Sequence, residues 1–264
     1  MRVSYSQVNC FWSCPYKYKL RYKDHLEPVP DTSPTNALYE GTAIHTGIET
    51  RDIEKAIENY KSNYKELTKD HEIEIMKIKT ILPKAIEQIP EGEYEYKLLT
   101  DEFVGYIDML VKVGEGIYDL ADFKFSNNIS GYKKSGQIHI YKYYYEKLTG
   151  NKIRNMYYVF IPKLTEKLNE GLTEEKFINE ILPAYSKKDI KFEKVEYDPQ
   201  QLRWFFARKA LMNKATTFEK RYSHECTWCE YAAYCRTNGE DTSGLIIKKE
   251  ENKQGEAQEV DLWN

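Results

Sequence analysis

The chain has 264 residues, enough to bury a substantial core in one domain or one domain with an added lobe. With 31% charged residues and a mean hydropathy of −0.72, it contains no apolar run near the ~20 residues of a membrane helix. A formal charge of −3 does not by itself point to nucleic acid, so the distribution of charge carries more information than its sum.

The opening residues, MRVSYSQVNC, lack an apolar stretch with a small-residue cleavage site, so a cytoplasmic protein is expected. Five cysteines in a reducing compartment favour metal or redox chemistry over disulfides. Residues 1–28 include a basic and aromatic segment, PYKYKLRYKDHL, and residues 29–37 read as a loop. A long helical pattern runs from Leu38 toward Tyr64, and a second from His71 to Ile89. Residues 94–113 and 117–125 then read as successive strands, with Gly114 and Gly116 marking a hairpin. A helix at 134–148 follows, then a strand at 153–161 ended by Pro162, a further strand at 190–197 and a helix at 198–220. Helix, three strands, helix, strand is the order of an α/β core with a mixed sheet. Residues 240–264 are polar and read as a disordered tail.

Between Lys124 and Lys163 there are eight Lys/Arg and one acid, Glu146, interleaved with Tyr132, Tyr141, Tyr143, Tyr144, Tyr145, Tyr157 and Tyr158. This is either a basic, aromatic surface for a single strand or a lysine-rich face over a tyrosine core. The chain has no G-x4-G-K-[S/T] for an ATP-driven motor, no H-x-E…C-x-x-C deaminase arrangement and no C-x3-C-x2-C.

Asp108 sits in GYIDML, and Asp122 and Lys124 in LADFKF on the next strand. Alternation sends Asp122 and Lys124 to the same side of their strand. Two carboxylates and a lysine on neighbouring strands suit metal-assisted phosphodiester cleavage, because hard cations take oxygen ligands and a lysine stabilises charge on phosphorus oxygens. Upstream, His45 in GTAIHTGIE is either a ligand or a helix histidine paired with Glu49. Glu95, on the preceding strand, is not distinguishable locally from a solvated acid. Downstream, Gln137 and Tyr141 share one helix face.

At the C-terminal end, Cys226, Cys229 and Cys235 in HECTWCEYAAYC have thiolate-metal spacing with one ligand missing. Cys14 in WSCPYKYKL is the favoured fourth, and Cys10, four residues earlier, the competitor. Four thiolates suit zinc as well as iron–sulfur.

GYID, D-x-K and Q-x3-Y in this order resemble the PD-(D/E)XK nuclease superfamily, in particular its RecB-like branch. The flanking cysteines resemble those of its iron–sulfur exonucleases, among them the AddB nuclease domain and CRISPR-associated exonucleases. The resemblance spans about residues 4–236. It implies a restriction-endonuclease-like α/β core with a mixed central sheet flanked by helices, and a helical iron–sulfur lobe joining the two chain ends. Residues 1–239 would form one nuclease domain, its lobe built from 1–28 and 198–239. The resemblance also implies Mg²⁺ or Mn²⁺ on His45, Asp108 and Asp122, catalysis by Lys124, positioning by Gln137 and Tyr141, and a [4Fe–4S] cluster on Cys14, Cys226, Cys229 and Cys235. Asp122 stands where the commoner pattern has Glu.

The function expected is that of a DNA exonuclease acting on single-stranded ends in recombination, phage DNA metabolism or CRISPR adaptation, with a helicase or recombination protein as partner. A structure-specific endonuclease and a non-catalytic nucleic-acid-binding adaptor are the alternatives. Leu262 and Trp263, at the end of the acidic tail, resemble a sliding-clamp peptide as much as a solubilising tail.

Overall fold

The computed structural model describes residues 2–168 and 172–246. The chain divides into two compact units. The larger runs to Trp12 and from Asp31 to Thr216, and the smaller joins Ser13–Pro30 to the chain from Thr217 on.

The larger unit is built on a five-stranded mixed sheet, β1 (Glu93–Leu99), β2 (Val104–Gly114), β3 (Ile117–Phe125), β4 (Lys152–Ile161) and β5 (Lys191–Val195), in that spatial order. The pairs β1/β2, β2/β3 and β4/β5 are antiparallel, and β3/β4 is parallel. A parallel neighbour cannot be reached by a hairpin, and the helix Gln137–Thr149 makes the crossover. Gly116 takes φ +63 in the β2–β3 turn, where a residue without Cβ is at ease.

One sheet face, with Met109, Ala121, Phe123, Val159 and Ile161, shares a core with the helices Ala37–Thr50, Ile53–Ser62 and Lys69–Gln88. The single long helix expected from Leu38 to Tyr64 is two. Arg51 adopts a left-handed φ of 52, and the Asp52 side chain accepts from the N–H groups of Glu54 and Lys55 to start the second helix. Gly47 lies where the first of these helices meets its neighbours. A Cβ there would come within 2.3 Å of Leu82 Cδ2 and 3.0 Å of Ala56 Cβ.

The tyrosines between 132 and 158 follow the second of the two readings. Tyr141, Tyr144, Tyr145 and Tyr158 are buried. Tyr144 stacks on Phe103 at 4.1 Å, and Tyr145 meets Tyr96 and Tyr118 edge-on. They form core, and the lysines among them line its outside.

In the smaller unit, the helix Pro15–Tyr22 and the strand pair Glu27–Pro28/Leu245–Ile246 enclose a small core of Leu20, Tyr231 and Leu245. Leu245 and Ile246 fall inside the stretch expected to be a disordered tail, and burial of Leu245 holds them. Leu262 and Trp263 lie outside the described residues. The unit boundaries also differ from 1–28 and 198–239. Tyr5 and the helix Pro199–Lys214 belong to the larger unit, where Tyr5 stacks on Phe205 and Phe205 meets Phe103.

Two glycines in one helix give opposite expectations. Gly47→Ala should destabilise the fold by about 1–3 kcal/mol through overpacking. Gly41→Ala, with nothing within 4 Å of the new Cβ, should stabilise it by up to about 1 kcal/mol. Denaturant titration of both variants checks the pair.

Candidate active site and cysteine site

The ladder between β2 and β3 runs from Gly114–Ile117 to Met109–Ala121. Asp108 and Asp122 are the next residue on each strand. Beyond the last pair, the Phe123 N–H donates to Asp108 Oδ2 at 2.5 Å, so a carboxylate satisfies a backbone donor where the ladder has stopped. The strands part at these two aspartates, which opens room for polar groups between them.

Asp122 is only 1% exposed. Lys124, two residues on and carried to the same side, is in ion-pair contact with Asp122 Oδ2. Asp122 Oδ1 has no hydrogen-bond partner among the described residues. Burial raises the Asp122 carboxyl, Lys124 pulls it down and Asp108 raises it again, leaving it at about 6. Burial opposes the charge on Lys124, but Asp122 and Asp108 outweigh it and hold the ammonium above its usual range. Tyr132 and Tyr158 present their rings to Lys124 Nζ at 5.3 and 6.0 Å.

His45 comes from the helix Ala37–Thr50. Its ring stands edge-on to Phe123 at 5.6 Å, and Nδ1 lies 3.8 Å from Asp108 Oδ2, too far for a hydrogen bond. It forms no ion pair with Glu49 among the described residues. Glu95 enters from β1, where Tyr94 pairs with Met109 and Tyr96 with Ile107, so it falls opposite Asp108. His45, Glu95 and Asp108 each bring a ligand atom within 4.8 Å of the others. Asp122 is outside this trio, drawn to Lys124. Loss of solvation and then the Asp108 charge push the Glu95 carboxyl up to about 7. Glu95 also has a left-handed φ of 50, a conformation that costs a non-glycine residue about 1–3 kcal/mol. Nothing in the sequence near Glu95 signals that kink. Only its register against Asp108 singles it out.

Gln137 Nε2 donates to Tyr141 OH at 2.8 Å. Burial and then the nearby Asp122 charge raise the Tyr141 hydroxyl, so it stays a neutral donor. The N–H of Gly136, just ahead of this helix, donates to Tyr5 OH at 3.0 Å.

The trio of one imidazole and two carboxylates, with the unpartnered Asp122 oxygen buried within electrostatic reach, fits a hard divalent cation. Mn²⁺ at a hundred times its dissociation constant should therefore stabilise the folded chain by about 2.7 kcal/mol. Glu95→Gln should weaken that binding by about 10-fold or more. Thermal denaturation with and without the ion measures both. An unchanged response in the variant would remove Glu95 from the ligand set.

In the smaller unit, Cys14, Cys226, Cys229 and Cys235 line one cavity. All are half-buried free thiols. Cys10 sits in the larger unit and does not line the cavity, so of the two expected contenders Cys14 is the one beside the others. Cys14 caps the helix Pro15–Tyr22, its sulfur accepting from Lys17 N–H at 3.5 Å, and Cys226 Sγ accepts from Ser223 N–H at 3.4 Å. Burial raises the Cys229 and Cys235 thiols, and Cys14 adds to both shifts. Four sulfurs sharing a pocket in this way are a fitting donor set for a thiolate-bound metal group.

The family model described as the PD-(D/E)XK nuclease superfamily matches residues 2–236. No curated protein matches the chain.

Proposed function

Given that the chain belongs to the PD-(D/E)XK nuclease superfamily, we propose that it is a metal-dependent exonuclease that hydrolyses DNA from single-stranded ends. The observation that supports this best is the junction where β2 and β3 part, with Asp108, Asp122, Lys124, His45 and Glu95 gathered around it. When bound there, Mg²⁺ or Mn²⁺ supplies Lewis acidity and a water of lowered pKa. His45, Glu95, Asp108 and Asp122 would hold the ion. Lys124, kept cationic by the two aspartates, faces the oxygens of the scissile phosphate and offsets the charge that builds on them. Water adds to phosphorus and the P–O3′ bond breaks, leaving a 5′-phosphate and a 3′-hydroxyl. Gln137 and Tyr141, tied to each other, orient the strand beside Asp122.

In the smaller unit, Cys14, Cys226, Cys229 and Cys235 would hold a [4Fe–4S] cluster as a structural staple. Recombination, phage DNA metabolism and CRISPR adaptation are the settings in which such an enzyme, with a helicase or recombination partner, would act.

Asp108→Ala and Lys124→Ala should each lower Mg²⁺-dependent cleavage of linear single-stranded DNA by about 10³-fold or more, with folding retained. Undiminished degradation by both variants would refute the active-site assignment. Circular single-stranded DNA should survive while its linear form is consumed. Cutting of the circle would identify an endonuclease instead.

Protein purified without oxygen should be brown and contain iron and inorganic sulfide, and Cys226→Ser should lose both colour and stability. Colourless protein holding zinc would overturn the cluster.

A further inference from the structure

With the tyrosines of residues 132–158 largely in the core, the exposed indoles of the larger unit are elsewhere. Trp204 is 46% and Trp12 41% exposed. Trp204 lies on the helix Pro199–Lys214, PQQLRWFFARKALMNK, which carries four cations and no Asp or Glu. Its inner side buries Leu202, Phe205, Lys209 and Met212, and Lys209 is committed to Glu102 at 3.0 Å. Gln201, Trp204, Arg208 and Leu211, at i, i+3, i+7 and i+10, share another side. The Arg208 guanidinium stands 4.5 Å over the Trp12 ring, which adds a second indole to the stripe.

One end of the stripe abuts the start of the helix that carries Gln137 and Tyr141. Gly136 precedes the helix that carries Gln137 and Tyr141, and a Cβ on it would lie 3.0 Å from Gln201 Oε1. From Gln201 to Leu211 the helix rises ~15 Å, the scale of a few nucleotides.

Resting on the nuclease reading, we infer that this face is the path of the single-stranded DNA leading to the active site, with Trp204 and Trp12 stacking bases and Arg208 engaging phosphate. Charge complementarity selects this occupant. Exposed indoles accept any base, the guanidinium matches a phosphate, and the helix offers no carboxylate to repel a polyanion. A protein partner would not require a helix purged of acids.

The test uses the full chain in a cleavage-deficient Lys124→Ala background, with labelled oligothymidylate followed by fluorescence anisotropy. Adding Trp204→Ala and Arg208→Ala together should raise the dissociation constant about ten-fold or more and lower the salt dependence by about one counterion. Trp204→Phe alone should keep most of the affinity. Unchanged melting curves show that the fold is intact, as expected for exposed side chains. Equal affinity and equal salt slope in parent and double variant would overturn the proposal while leaving the nuclease reading standing. Altered self-association with unchanged DNA affinity would mark the face as a protein interface and likewise overturn it. A parent that binds no DNA at all would overturn this path and the nuclease reading together.

Discussion

The burial of the Asp122 carboxylate against Lys124, at the point where two strands stop pairing, is the constraint around which the larger unit is organised. Removing a carboxylate from water costs several kcal/mol unless its oxygens find partners. Here one oxygen meets an ammonium and the other meets nothing among the described residues. Its high proton affinity is the direct result of that burial. Replacing a buried ion pair by apolar groups of the same volume is often neutral or stabilising. A buried oxygen left without a partner beside His45, Glu95 and Asp108 suits a group that meets a cation.

Much of the surrounding fold serves to bring donors to this point. The β1/β2 register sets Glu95 opposite Asp108 at the expense of a left-handed backbone. The helix Ala37–Thr50 is seated closely by Gly47 against Leu82, and that seating fixes how far His45 reaches toward Asp108. The helix Gln137–Thr149 is anchored by the aromatic stack of Phe103 on Tyr144, which holds Tyr141 beside Asp122. The smaller unit faces a different problem. Its core is little more than Leu20, Tyr231 and Leu245, drawn from both ends of the chain. Units of this size are commonly stapled by disulfides or metal, and four free cysteines lining one cavity are the means available here.

Much of this was legible in the sequence because it is local. Asp122 and Lys124 two apart on a strand, Gln137 and Tyr141 four apart on a helix, and Cys226 and Cys229 three apart each encode their juxtaposition in spacing alone. The mixed sheet followed from the order of periodic segments. Illegible were the features that depend on packing between distant segments. Arg51 and Asp52 broke a helical pattern that looked continuous. The tyrosines near the lysines read equally as surface and as core, because tyrosine carries both an apolar ring and a polar tip. Their burial was settled by partners such as Phe103, about forty residues upstream.

The sequence by itself determined the chemical inventory and its order, two acids and a lysine on adjacent strands, with four thiols near the two ends of the chain. Residue identity and short-range periodicity carry that information whatever the rest of the chain does. Tertiary structure alone decided where the sheet opens, that Glu95 joins His45 and Asp108, that Cys14 rather than Cys10 lies with the other thiols, and which aromatic rings remain exposed. Each of these is a choice among geometries that the local sequence permits equally. It is made by long-range packing, which rewards one register and one burial pattern over the others.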